Sequence, residues 1–447
     1  MSNRVTNVTS TALLTDQYEL TMLSAALQAG TADRPCVFEV FARRLPDGRR
    51  YGVLAGTGRL LDALADFRFT DDELDALRGI VDADTLTWLA DYRFTGEIDG
   101  YREGELYFPG SPVLTVRGGF AEAVILETLV LSILNHDSAI ASATARMVNA
   151  AAGRPIIEMG SRRTHEQAAV AASRAAYLAG VTATSNLEAA RTFGVPSAGT
   201  AAHSFTLSFA TPDGPDERTA FAAQIDALGV GTTLLVDTFD ITTGVANAID
   251  VAGPELGGVR IDSGDLGVLT RQVRAQLDDL GARNTKIVVS GDLDEYAIAS
   301  LRAEPVDTYG VGTSLVTGSG APTAGMVYKL VEVDGLPVAK RASHKESHGG
   351  AKRAVRLARD TGTILEEVVL TGGPLDTADI PGIGSLDVRE LQIPLVRDGD
   401  VVDDVPDLND AREHLARGLV SLPWEGLGLS HGDPAVPTRY VSRPETR

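Results

Sequence analysis

At 447 residues and 44% hydrophobic composition, the chain is long enough for two or more domains with sizeable cores. Its 61 acidic against 40 basic residues, a net charge of −21, argue against a general nucleic-acid or anionic-membrane binder, whose footprint is basic. Cys36 is the only cysteine, which excludes an intrachain disulfide and a cysteine-rich metal site and fits a reducing cytoplasm. The first ten residues are polar and lack a signal-peptide core. The most apolar run, 121–134, is interrupted by Glu122 and Glu127 and is too short to span a bilayer. These features predict a cytoplasmic protein with a small-molecule substrate and with neither nucleic acid nor membrane as partner.

In chain order, Leu13, Leu14, Tyr18, Met22, Leu23, Ala26 and Leu27 recur at helical spacing and predict a helix over 11–30. Residues 35–42 alternate like a strand, and 43–48 form a basic turn around Arg43 and Arg44. Residues 56–90 are mostly helical. From 94 to 116, glycines and prolines punctuate short antiparallel β pieces. A long helical stretch over 121–151 follows, with a break expected near Asn135-His136-Asp137.

A new rhythm then begins. Apolar or β-branched runs at 155–159, 181–184, 197–202, 232–236, 258–262, 286–289 and 306–310 alternate with helix-like segments at 166–179, 187–193, 217–228, 242–251, 268–280 and 294–302. Such alternation is the pattern of a parallel α/β architecture, and seven strands suit an incomplete (β/α) barrel. After Met326 the pattern returns to β: strands at 327–333, 337–343, 354–358, 368–370 and 388–394, a short helix at 409–417, and an irregular tail from Ser430. The fold class is therefore α/β, an incomplete (β/α) barrel with a second β-rich α+β domain built from N- and C-terminal segments. The domain limits are 1–120 and 326–447 for the α+β domain and 121–325 for the barrel.

Catalytic groups of such barrels sit at the carboxyl ends of the strands. Read in order, those ends are Glu158-Met159-Gly160-Ser161-Arg162-Arg163, Thr184-Ser185-Asn186, Gly199 to Ser204, Asp237-Thr238-Phe239-Asp240, Arg260-Ile261-Asp262-Ser263-Gly264-Asp265, Ser290-Gly291-Asp292, and Gly310-Val311-Gly312-Thr313-Ser314. Each alone could be a helix cap or a turn. Seven polar, glycine-rich tips between apolar strands point to a site. The Gly/Ser/Thr-rich segment 310–320 suits a phosphate held on backbone N–H groups. Arg162, Arg163 and Arg260 suit phosphate or carboxylate oxygens, and Asp262 and Asp265 suit Mg²⁺ or sugar hydroxyls. Transition-metal spacing, a nucleophile elbow, a Walker loop and a Rossmann fingerprint are all missing from the sequence. The inventory fits a phosphorylated sugar. A lone histidine in an alanine-rich run is ordinarily a packed group. At a tip facing arginines, however, the neutral imidazole of His203 can serve as a base or phosphate acceptor. His136, His165, His344 and His348 read as surface or supporting groups.

Four stretches together resemble nicotinate phosphoribosyltransferases: Thr15-Asp16-Gln17-Tyr18-Glu19-Leu20-Thr21-Met22, Glu158 to Arg163, Gly199-Thr200-Ala201-Ala202-His203-Ser204, and Arg260 to Leu266. The resemblance covers about residues 12–355 and keeps the family's motif order. It implies transfer of phosphoribosyl from 5-phosphoribosyl-1-pyrophosphate to nicotinate, giving nicotinate mononucleotide and pyrophosphate, coupled to ATP hydrolysis and assisted by Mg²⁺. It also implies a homodimer with active sites at the interface. Tyr18 would stack on the pyridine ring in the partner's site. Arg162 would contact the nicotinate end or its product. His203 would be phosphorylated by ATP. Arg260, Asp262 and Asp265 would hold ribose and pyrophosphate, and Gly291 and Gly312 would lie beside the 5-phosphate. Thr184, Ser185, Ser263 and Thr313 complete the substrate-binding candidates, and no protein ligand is assigned to the metal. Related nicotinamide enzymes carry an aromatic residue where Met159 stands and an acidic residue near the second tip, where this chain has Thr184-Ser185-Asn186. Met159 still offers a polarizable contact to a ring in place of an aromatic sandwich, and the second difference favours the acid over the amide. The competing readings are a nicotinamide phosphoribosyltransferase, a barrel lyase or aldolase acting on a phosphorylated sugar, and a non-catalytic nucleotide-binding protein.

Overall fold

The computed structural model describes residues 10–340, 348–371 and 380–442. The chain forms two compact units, one of residues 1–142 with 323–447 and one of residues 143–322. The expected limits were 120/121 and 325/326. The first limit falls later because Leu129, Val130, Ile133 and Leu134 are core residues of the first unit.

The first unit is organised around a seven-stranded sheet. Its strand order is Leu336–Pro337, Met326–Val333, Pro35–Ala42, Leu114–Gly119, Glu97–Tyr101, Gln392–Arg397 and Asp400–Val401. Pro35–Ala42 runs antiparallel to both neighbours, pairing Val40 with Tyr328 on one side and with Leu114 on the other. N- and C-terminal segments thus share one sheet. Phe38 stacks on Tyr328 at 4.9 Å between centroids inside this core.

The expected strand 388–394 is two strands. Asp387–Glu390 pairs with Lys352–Ala358 in a separate four-stranded sheet, whereas Gln392–Arg397 joins the seven-stranded one. The tail from Ser430 is not wholly irregular, because Thr438–Ser442 pairs in parallel with Ile364–Thr371. Of the expected strand 337–343, residues 341–343 lie outside the described residues, as does His344. A buried ionic cluster ties this half together. Arg356 bonds Glu105 and Glu367 (2.8 Å to the latter), while Arg389 and His414 reach Glu105 at 2.7 and 2.8 Å.

The long helical run breaks at Ile125 and Leu126, not at Asn135-His136-Asp137. Those polar residues stay helical because tertiary partners satisfy them. Asn135 bonds both backbone groups of Met326, and Arg59 holds the buried Asp137 at 2.8 Å. Taken together, Phe120–Ala151 is long and apolar enough by composition to cross a membrane, although the run 121–134 alone is too short. Its apolar window is 67% buried in protein, as in a core helix.

In the second unit, six parallel strands form one sheet: β1 (Ile156–Glu158), β2 (Ala183–Thr184), β3 (Thr233–Leu235), β4 (Gly258–Ile261), β5 (Lys286–Gly291) and β6 (Thr308–Val311). Their order is β3-β4-β5-β6-β1-β2, so the last strand pairs with the first, Tyr309 opposite Ile156. This is the incomplete barrel expected. The seventh strand, at 197–202, does not form. Only a single bridge, Thr184 to Ser197, marks its place beside β2. Pro196, Gly199 and a run of alanines have little β propensity and few side chains to pack. The segment runs instead as a loop that offers polar atoms to Arg260.

Candidate functional site

The carboxyl ends of these strands surround a cavity of about 340 Å³. Met159, Arg162 and Arg163 line it from the β1 tip and Ser185 from the β2 tip. The 198–202 loop and His203 follow, then Arg260 and Asp262, Ser290 to Asp292, and Gly310, Gly312 and Thr313. Met159 is the one lining side chain that is both apolar and larger than alanine. Room for it is made by Gly310: a Cβ there would stand 2.8 Å from the Met159 sulfur.

Arg260 leaves β4 and is mostly buried, with its side chain 12% exposed. Its Nη1 donates to the Thr200 hydroxyl and to the Ala201 carbonyl at 3.3 Å, and its Nη2 stands 3.8 Å from Asp262. Burial lowers its pKa, and the charge of Arg162 adds to that, against the pull of Asp262 and Asp237. Two guanidinium groups that repel across a cavity favour an anion between them.

His203 opens a short helix, His203–Leu207. Its Nδ1 lies 3.2 Å from the Thr238 hydroxyl and its Nε2 4.0 Å from Asp262, with the ring 40% exposed. One ring nitrogen is thus anchored and the other faces the cavity. Asp262 accepts from the Ser290 hydroxyl, and its own backbone N–H donates to Asp237 at 2.8 Å. Asp237 is 9% exposed, and its Oδ2 also takes the Ser263 hydroxyl at 2.7 Å. Asp237 belongs to the fourth strand tip but not to the candidate residues chosen from the sequence. Its signal was a carboxylate directly after an apolar strand.

Other expected residues take different places. Thr184 is fully buried and does not line the cavity; its hydroxyl donates to Glu158 at 2.6 Å. Asp265 caps the helix Leu266–Asp279, accepting from Val268 N at 3.1 Å. It lines a neighbouring hollow with Asp262, Ser263, Gly291 and Asp292, not the main cavity. Only the first part of 310–320 reaches the cavity. Ser319, at φ +50°, bonds Glu295 at 2.5 Å, and Glu295 is itself held by Arg146 at 3.1 Å. That pair anchors Ser319 outside the cavity, whereas Gly310, Gly312 and Thr313 line it. Tyr18 belongs to the first unit, on helix Gln17–Ala29, and is 45% exposed. Burial, with Glu127 and Glu19 adding to it, pushes its hydroxyl pKa up to about 12. Of the remaining histidines, His165 accepts at the start of helix Glu166–Leu178, His136 pairs with Asp137 at 2.8 Å, and His348 stacks on Tyr440.

Arginines, a carboxylate and an anchored imidazole around the mouth of a parallel α/β barrel define an enzyme site for an anionic small molecule. Comparison with known proteins narrows the class. A model of the nicotinate phosphoribosyltransferase (NAPRTase) N-terminal domain matches residues 13–135, and one of the nicotinate phosphoribosyltransferase family matches residues 155–362. Over 432 residues, 96% of this chain and 95% of the relative, the chain is 65% identical to nicotinate phosphoribosyltransferase pncB1 of Mycobacterium tuberculosis. It is 37% identical to the Bacillus subtilis nicotinate phosphoribosyltransferase over 337 residues, 73% of this chain and 67% of that one. The crystal structure of human nicotinic acid phosphoribosyltransferase, 28% identical, matches with a TM-score of 0.80 over 96% of this chain and 97% of that one. The chain belongs to the nicotinate phosphoribosyltransferase family.

Proposed function

We propose that this protein is a cytoplasmic nicotinate phosphoribosyltransferase of NAD salvage, that it couples transfer to ATP through a phosphorylated His203, and that it works as a homodimer. The observation that carries the reading is the convergence of Arg162, Arg260, Asp262 and His203 on one cavity, in a chain 65% identical to a nicotinate phosphoribosyltransferase.

In the transfer, the pyridine nitrogen bonds to C1 of the ribose as the C1–O bond to pyrophosphate breaks. The electron pair leaves with pyrophosphate, so the chain must orient the ring and stabilise departing negative charge. Arg162, Arg163 and Arg260 supply that charge stabilisation, and Met159 supplies the apolar face for the ring. In the coupling step, a His203 nitrogen bonds to the γ-phosphorus of ATP and ADP leaves; hydrolysis later returns the imidazole and releases phosphate. Thr238 orients the ring for this step, and Asp262 lies beside the free nitrogen. Among the described residues, no group of three or more His, Cys, Asp or Glu side chains is placed to hold a metal. The donor set therefore fits Mg²⁺ carried mainly by substrate phosphates, with Asp262 or Asp292 as a carboxylate ligand. Such an ion would neutralise the pyrophosphate.

Specificity for the acid is supported by the β2 tip. Ser185 lines the cavity there, and Asn186 is occupied in capping the helix Leu187–Phe193. The tip's own residues Thr184-Ser185-Asn186 include no carboxylate, and the Glu158 carboxylate behind Thr184 does not line the cavity. The lyase reading in its Schiff-base form lacks a lysine among the lining residues. A dimer is supported by exposed apolar side chains Leu14, Tyr18 and Met22 at the chain's first helix.

The test is incubation with γ-labelled ATP. Label that is acid-labile and base-stable, and lost in His203→Ala, supports the coupling. Absence of label together with absence of pyrophosphate release from phosphoribosyl pyrophosphate and nicotinate would sink the whole reading. Release with nicotinamide but not nicotinate would favour the amide enzyme instead.

A further inference from the structure

The β1 tip holds a carboxylate that takes no part in the chemistry above. Glu158 is fully buried at the end of β1 and does not line the cavity. A buried carboxylate is costly unless its oxygens are hydrogen-bonded. Here three neutral donors meet it: the Gly160 N–H on Oε1, and the hydroxyls of Ser173 and Thr184 on Oε2 at 2.9 and 2.6 Å.

Two of these donors, Gly160 and Thr184, lead back to the Arg162 turn or its neighbour, while Ser173 reaches in from helix Glu166–Leu178. Gly160 begins that turn, and its carbonyl accepts the Arg163 N–H at 2.8 Å. Thr184 accepts the Asn186 N–H at 2.9 Å, and the Asn186 amide donates to Ser161 at 3.1 Å. The turn is also enclosed from the other side. A Cβ on Gly160 would fall 2.3 Å from Val316 and 2.9 Å from the Gly312 carbonyl. Arg162 itself is exposed and lines the cavity from this turn.

We infer that Glu158 is a positioning residue that fixes the Gly160–Arg163 turn, and through it the anion-binding geometry of Arg162. The inference rests on the reading of Arg162 as an anion contact. The acceptor oxygens of Glu158 matter as well as its shape. Glutamine would turn an acceptor-only group into one with an N–H facing other donors. The turn would then shift and Arg162 would lose its register with the substrate.

A double-mutant cycle separates positioning from plain structural support. Glu158→Gln is made in the full chain and in an Arg162→Ala background, and kcat/KM for nicotinate is measured with the melting temperature. We expect a loss of about tenfold in the first background, carried by KM, and less than about twofold in the second. Glu158→Asp should recover part of the loss. Equal losses in both backgrounds would overturn the inference. If Glu158→Gln does not fold, the same cycle is run with Thr184→Val against Thr184→Ser, which removes or keeps one donor to the carboxylate. If the unmodified protein makes no nicotinate mononucleotide, the functional reading has failed by itself. The cycle is then read from pyrophosphate affinity by calorimetry, where equal losses again overturn the inference.

Discussion

Arg260 and Arg162 share one cavity but are held differently, and that difference sets what each substitution costs. Arg260 is anchored by Thr200, Ala201 and Asp262, so Arg260→Ala removes contacts that hold the 200–201 loop as well as removing charge. Arg162 is free to meet substrate, and Arg162→Ala should remove only a charged hydrogen bond of about 1.5–3 kcal/mol. Steady-state assays of Arg162→Ala should therefore show about a 10- to 100-fold fall in kcat/KM with an unchanged melting temperature. For Arg260→Ala both quantities should fall. A melting temperature that dropped equally in the two variants would refute this contrast. Gly310 gives a second test. A methyl group there stands 2.8 Å from the Met159 sulfur and 3.1 Å from the Ser290 Cβ, so Gly310→Ala should raise KM for nicotinate more than KM for phosphoribosyl pyrophosphate. At this scale the sequence showed which residues sit at strand tips, because short apolar or β-branched runs end where polar residues begin. It did not show which way a tip residue points. Thr184 and Ser185 are adjacent, yet one is buried beneath the floor and the other lines the cavity, as expected when successive strand side chains face opposite sides.

Secondary-structure elements carry their own predictions. Asp265 caps Leu266–Asp279, so Asp265→Ala should destabilise the protein by about 1 kcal/mol, visible as a lower melting temperature. Asp265→Asn retains a capping oxygen and should not. Because Asp262 lines the main cavity and Asp265 only the hollow beside it, Asp265→Asn should lose less activity than Asp262→Asn. The reverse order would move the pyrophosphate into the hollow. Against the four-stranded sheet, burial pushes the Glu105 pKa up, but Arg356, His414 and Arg389 together outweigh it and hold it well below the usual carboxylate range. A depressed carboxylate pKa gives stability that is fully present above the unfolded value of about 4.3. That stability is lost as pH falls towards the folded value. Melting temperature should therefore decline below about pH 4.3, and Arg389→Gln, which removes one of the cations, should shallow that decline. Elements were the most legible level of the sequence. Pro35–Ala42, Leu187–Phe193 and Glu217–Leu228 begin and end where their patterns do. The misses have physical causes. Residues 197–202 look apolar enough for a strand, yet their small side chains leave only one bridge. Residues 388–394 read as one strand because sheet membership is a long-range fact. The pattern cannot show the switch at Leu391, whose N–H bonds Ala354 at 3.1 Å.

At the scale of the whole molecule, the assignment of Tyr18 to a partner's site has a consequence that no single-chain measurement can reach. Tyr18 is 45% exposed, and Leu14 and Met22 are exposed beside it in sequence. In a two-fold dimer the same surface is used by both protomers, so each site would combine one protomer's His203 with the other's Tyr18. Tyr18→Ala and His203→Ala homodimers should each be impaired at both sites. A mixed dimer would carry one site with both substitutions and one with neither. If protomers assort at random, half the dimers are mixed and half of their sites are intact. Co-expression of the two variants should therefore restore about a quarter of the unmodified activity. If Tyr18 instead served the site of its own chain, every site in the mixture would carry one substitution and no activity would return. Light scattering on the same samples separates the two causes of a null result. A dimer without complementation removes Tyr18 from the partner's site, whereas a monomer removes the dimer itself.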